Sequence, residues 1–125
     1  VIEYADPIRT SGLVLMDSPG FDPACVTGMM ASGCNVIAFT TGRGSCFGSK
    51  PVPSIKIATN TFLFEKMSED MDVNSGTVLA GQSLQENGLE LLHEILAVAS
   101  GKKTKSEQLG YGDDEFIPWT VGATL

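Results

Sequence analysis

Between Thr41 and Lys50 the chain reads Thr-Gly-Arg-Gly-Ser-Cys-Phe-Gly-Ser-Lys, three glycines threaded with a guanidinium, hydroxyls, a thiol and an ammonium. Glycines let backbone amides approach an oxygen-rich ligand closely, and the planar fork of Arg43 matches a carboxylate. Ser45 and Lys50 add donors, so Thr41, Gly42, Arg43, Gly44, Ser45 and Lys50 are the expected contacts to an anionic small molecule. The same glycines also suit a tight surface turn. The spacing lacks the Gly-Lys-Ser/Thr of a Walker loop, and Gly42-x-Gly44-x-x-x-Gly48 misses the dinucleotide fingerprint by one residue.

Acid/base chemistry beside a carboxylate needs a base and a cation to hold the developing enolate. Asp17, Asp22, Asp70, Asp72, Asn74 and the lone His93 are the remaining polar groups to consider. Asp22 precedes Pro23 and reads as a helix cap, Glu69 and Asp70 as a solvated face, and His93 falls among Glu86, Glu90 and Ala97 on the polar side of a helix. Asp72 and Asn74, just before Ser75-Gly76, are the catalytic candidates, and Asp17, at the end of a first strand, is the metal candidate. Cys46 sits near Arg43 but has no histidine partner to make it a nucleophile, and Cys25 and Cys34 read as packing thiols.

The elements that must position these groups follow from periodicity. Gly12–Asp17 is a short apolar run stopped by Ser18-Pro19-Gly20, the pattern of a buried strand. Asp22 to about Ser32 is predicted helical with Gly33 as its stop, and Asn35–Thr40 is a second strand, which together make a βαβ unit. Ser54–Thr59 is a third strand after Pro51 and Pro53, Asn60 or Thr61 caps a helix through Met67, and Met71–Asn74 is a short fourth strand. A capping box at Ser83 and Glu86 opens a long helix to about Ser100, with Leu84, Gly88, Leu91, Ile95 and Val98 at helical spacing. From Lys102 onward no useful period appears, and an irregular tail wrapping the domain is expected. Strands alternating with helices predict an α/β fold with an open, mostly parallel sheet, helices on both faces in a Rossmann-like three-layer arrangement. In such sheets ligands sit beyond the carboxyl ends of the strands, where the segments 17–22 and 41–50 are expected to meet.

Composition bounds the partners. The chain has 125 residues, enough for one domain with its own core, and a net charge of −7 with no basic cluster longer than Lys102-Lys103. That field repels phosphate backbones and anionic lipid, which argues against nucleic acid and membrane partners. The charged fraction of 18% is below the globular norm and hints at covered interfaces. Three cysteines without a CxxC pair give neither a disulfide framework nor a zinc knuckle, in keeping with a reducing cytoplasm. The start at Val1, without methionine or a basic-then-apolar leader, is expected of a fragment or processed piece, here residues 1–125 as a single domain of a larger chain.

Several runs carry a family resemblance. Phe39–Ser45, Gly48–Pro53, Ile57–Thr61, Met16–Gly20, Asp70–Gly76 and Ala99–Glu107 together resemble the carboxy-terminal region of the altronate and galactarate dehydratase family. The Gly-Ser-Lys-Pro run and the stretch Gly110–Trp119 resemble the altronate branch more closely. The resemblance implies a cytoplasmic hydro-lyase that dehydrates a hexonic or aldaric sugar acid to a 2-keto-3-deoxy acid, with a divalent metal, iron or manganese, as cofactor. It also implies preceding domains of the parent chain as partners, and the low charged fraction leads to the expectation of a homo-oligomer. Carried onto this sequence, Arg43 would clamp the carboxylate, the amides of Gly44 and Ser45 would hold oxygens, and Lys50 would balance charge. Relatives often have cysteine where Ser75 stands here. The other readings are a non-catalytic module for oligomer assembly and an anion- or nucleotide-binding α/β domain using the same loop.

Overall fold

Ser54-Ile55-Lys56-Ile57-Ala58 can be buried along its whole length only if it has neighbours on both edges and cover on both faces, and it has all four. The computed structural model describes residues 1–120 and places this strand, β2, between two parallel partners. β1 (Ile37–Thr41) pairs with β2 in the register Ile37 to Ser54 through Thr41 to Ala58. β3 (Val73–Asn74) pairs on the other edge, Ile57 to Val73 and Ala58 to Asn74, so the order is β1-β2-β3.

Alternation along β2 sends Ile55 and Ile57 to one face, where they pack with Val98, Leu91 and Ile95 of α3 (Leu84–Ala99). The opposite face carries two clusters. Val26 of α1 (Asp22–Ser32) packs with Ile37, Phe47 and Val52, and Leu63 of α2 (Thr61–Lys66) packs with Ala58 and Met71. The expected α/β class with a parallel sheet and helices on both faces is what the structure shows. Fully burying side chains of this size stabilises by roughly 1.5–3 kcal/mol each, so β2 anchors the fold.

Three expectations need correction. Gly12–Asp17 is extended but lies outside the three-stranded sheet: Met16 makes a single parallel bridge to Ile2, and Leu13 is 92% exposed. Its apolar run therefore does not form the first strand of a closed βαβ unit, because no sheet neighbour within the described residues covers it. Asp22 is the first residue of α1 and makes no side-chain cap, the cap position being Phe21. The segment after Lys102 is also more regular than its period suggests, since Thr104 and Glu107 form a second capping box that opens α4 (Lys105–Leu109). A 3-10 turn over Gly76–Ala80 was likewise not legible.

The remaining elements match closely. Asn60 caps α2 by accepting from the Leu63 amide at 2.8 Å, and Ser83 with Glu86 caps α3 reciprocally. Gly33 closes α1 in the left-handed conformation, φ 108°. The tail wraps the domain as expected. The Glu115 carboxylate accepts from the Gly48 amide, the Ile117 amide donates to the Thr27 hydroxyl at 2.9 Å, and Trp119 stacks edge-on against Tyr4 at 5.4 Å. Residues 121–125 of the expected tail lie outside the described residues.

Lys56 is the anomaly of the core. Its side chain is fully buried and its ammonium stands 3.7 Å from the Asp70 carboxylate, beyond good hydrogen-bond distance, while the Ser54 hydroxyl on the same strand face also lacks a partner.

Candidate functional site at the carboxyl edge of the sheet

Parallel strands leave the sheet in one direction, so the residues after β1, β2 and β3 converge. Three short segments meet there: Thr41–Ser45, Thr59–Thr61 and Asn74–Gly76. Hydrogen bonds lock them together. The Thr41 carbonyl accepts from the Thr59 amide at 3.0 Å and from its hydroxyl at 3.2 Å. Asn60 spans two segments, since its amide nitrogen donates to the Gly42 carbonyl at 3.1 Å while its oxygen caps α2. The Thr61 hydroxyl lies 3.3–3.4 Å from the Asn74 side-chain amide, whose oxygen also accepts from the Gly76 amide at 3.0 Å. Gly76 is required by close approach, because a Cβ there would stand under 3.0 Å from the backbone of Asn60 and Thr61.

Arg43 projects from this rim, exposed, and makes no ion pair among the described residues. Gly44 takes φ +100°, a conformation that side-chain-bearing residues rarely adopt, and passes close over the side chains of Leu63 and Met67. Its amide donates to the Thr41 hydroxyl at 3.1 Å, so the loop itself uses a donor that the sequence assigned to ligand oxygens. The Ser45 hydroxyl accepts from the Phe47 amide at 3.0 Å.

The loop then leaves the rim. Phe47, Gly48 and Ser49 are buried as it runs back toward the start of β2, where the Pro53 carbonyl accepts from the Ile37 amide. Lys50 therefore lies toward the opposite end of the sheet from Arg43, where its ammonium pairs with Asp113. Thr41, Gly42, Arg43, Gly44 and Ser45 are brought together with Asn74, and Lys50 is not.

Asp72 sits one step below the rim with both carboxylate oxygens engaged. They accept from the Lys56 amide and the Lys105 amide, each at 2.8 Å, clipping β2 to the start of α4. Asp17 is exposed on the extended segment before α1, and His93 is exposed on α3. Among the described residues no group of three or more His, Cys, Asp or Glu converges to hold a metal ion, so Asp17 has no set of co-ligands there. The three thiols are free and Cys46 is exposed.

Thr59, Asn60 and Thr61 are the rim residues that sequence reasoning did not single out as site residues. A signal was present: a polar triplet directly after β2 is placed as Thr41–Ser45 is after β1. Gly42, Arg43 and Thr59 are exposed at the rim. A groove of about 430 Å³ lies elsewhere, beside Glu69, Lys105, Gln108 and Leu109.

This is an open-sheet α/β domain of the class that presents ligand contacts at the carboxyl ends of its strands. Sequence comparison gives the family: residues 1–124 match the one described as "D-galactarate/Altronate dehydratase, C-terminal", and the chain belongs to it. The altronate dehydratase of Bacillus subtilis is 38% identical over 126 residues and that of Escherichia coli 33% over 125, each alignment covering all of this chain. The galactarate dehydratase (L-threo-forming) of Escherichia coli is 46% identical over 101 residues, 79% of this chain. The aligned regions are 25%, 25% and 19% of those three relatives, so the chain spans about a quarter of their length or less. In the described residues, no helix is long and apolar enough to cross a membrane.

Proposed function

We propose that the chain is the carboxy-terminal domain of a cytoplasmic, homo-oligomeric sugar-acid dehydratase that converts altronate to a 2-keto-3-deoxy acid. The reaction removes the proton alpha to the carboxylate, expels the beta-hydroxyl as water, and lets the resulting enol ketonise. Negative charge builds on the carboxylate as the proton leaves, so a fixed cationic fork there stabilises the transition state more than the ground state. The observation that carries this reading is the exposed guanidinium of Arg43 on a rim whose backbone is pinned by Thr41, Thr59 and Asn60. The pinned backbone fixes the point from which the Arg43 side chain reaches out before substrate arrives.

Among the described residues no group of three or more His, Cys, Asp or Glu converges to hold a metal ion. In this reading the ligands of the implied iron or manganese, and the general base, belong to the remaining domains of the parent enzyme. Asn74 faces the same rim and is the better placed of the two polar candidates, Asp72 acting as a structural clip.

Alignment over the whole chain with two altronate dehydratases favours altronate. The higher identity to a galactarate dehydratase, 46%, supports galactarate as the second reading. Assaying the intact parent enzyme with each sugar acid side by side, by release of keto acid, tests the choice. Altronate is expected to be turned over with the higher kcat/KM, and a preference for galactarate would reverse the assignment.

A further inference from the structure

In the β1–β2 ladder the Ile37 amide donates to Pro53 and the Thr41 carbonyl accepts from Thr59, so the odd-numbered residues of β1 face β2. The amides and carbonyls of Ala38 and Thr40 face the other way, and among the described residues their amides donate to nothing. A groove of about 240 Å³ runs along this edge, roofed by Cys25, Val26 and Met29 of α1. Met29 also lines a small cavity of about 100 Å³ with Val14 and Met16 on the extended segment before α1. That segment bonds to Ile2 through Leu15 and Asp17, which turns the backbone groups of Val14 and Met16 away from Ile2. Two open strand edges thus flank one helix. On the face away from α1, Leu13 and Leu15 are exposed, as are Ala38 and Thr40.

We propose that this groove takes a single β-strand from the polypeptide that supplies the rest of the enzyme, bonded to β1 on one side and to residues 14–16 on the other. The inference rests on the proposed function for the identity of that polypeptide. The chain covers 25% of the altronate dehydratases it matches, which leaves ample sequence to provide the strand. A second copy pairing β1 against β1 would satisfy one open edge and leave the other bare, whereas an inserted strand satisfies both. The strand it fits is apolar on both faces, meeting Val26 and Met29 on one side and the level of Leu13 and Leu15 on the other. Unpaired, this edge is a template for strand addition.

Amide hydrogen exchange at Ala38 and Thr40 tests it, compared between the 125-residue chain and the full-length enzyme. Exchange slowed at least about a hundredfold in the enzyme only, as expected for newly made ladder bonds, supports the proposal. Equal exchange in the two overturns it, and slowing in the 125-residue chain that grows with concentration overturns it in favour of a second copy. Thr40→Pro provides an independent check, because proline is tolerated on an open edge but not inside a sheet. It should leave the melting of the 125-residue chain nearly unchanged and lower that of the full-length enzyme; equal effects count against the strand. Wild-type enzyme that dehydrates altronate yet exchanges rapidly at both amides would refute the strand and leave the functional reading standing, while protected amides without dehydration would do the reverse.

Discussion

Gly76→Ala and Gly88→Ala put the same methyl group into two glycines of one chain and should move stability in opposite directions. At Gly76, the first residue of the 3-10 turn, the new Cβ would stand under 3.0 Å from the Thr61 nitrogen and from the Asn60 Cα and carbonyl carbon. These are backbone atoms held by the Asn60 cap and by β2, so no side chain can swing aside to relieve the clash. The cost belongs at the upper end of the ~1–3 kcal/mol typical of overpacking. At Gly88, in the interior of α3, the Cβ meets nothing within 4 Å, so only the backbone entropy difference remains, a gain of about 0.5–1 kcal/mol. With about 3–5 °C per kcal/mol for a domain of this size, Gly76→Ala should melt roughly 10 °C lower and Gly88→Ala about 3 °C higher. Thermal and urea unfolding followed by circular dichroism would read both. A Gly76→Ala protein within about 0.5 kcal/mol of wild type would refute the close approach of the two rim segments, because surface substitutions fall inside that window.

Asn60→Ala should cost about 1 kcal/mol through the lost cap on α2, measured by urea unfolding. The same change frees the Gly42 carbonyl, so cleavage after Arg43 by trypsin under native conditions should quicken. Lys56→Met should leave stability unchanged or raise it by ~1–4 kcal/mol, because a poorly paired buried ammonium is replaced by packing, whereas Asp70→Ala should lower it by about 3 kcal/mol. Glu86 is held below the usual 4.5 by hydrogen bonds from the side chain and backbone of Ser83. A lowered carboxylate adds stability above its unfolded pKa and loses it as pH falls through the folded value, so wild type and Ser83→Ala should differ at pH 7 and converge in acid, seen as melting temperature against pH.

The long helix and β2 were legible because each carries a local signal, the first a capping box and an apolar stripe, the second the alternation around Ile55 and Ile57 after Pro51 and Pro53. Gly12–Asp17 misled for a related reason. Its apolar residues announce burial, yet Leu13 and Leu15 are exposed, and only Val14 and Met16 turn toward Met29 of α1. The glycine loop was legible as a place of close approach, but sequence order could not say that Arg43 stays at the rim while Lys50 is carried along the sheet to Asp113. Sequence adjacency overstated their cooperation. In the sequence the rim triplet Thr59–Thr61 reads as the end of one element and the cap of the next, which is half of what Asn60 does.

The central claim is that Arg43 grips the substrate carboxylate from a rim fixed by its neighbours. Steady-state kinetics of Arg43→Ala in the full-length enzyme with altronate tests it most directly. We expect kcat/KM to fall by about a hundredfold or more, the scale of losing one donor to developing negative charge. Near wild-type kinetics in a variant that melts normally would contradict it.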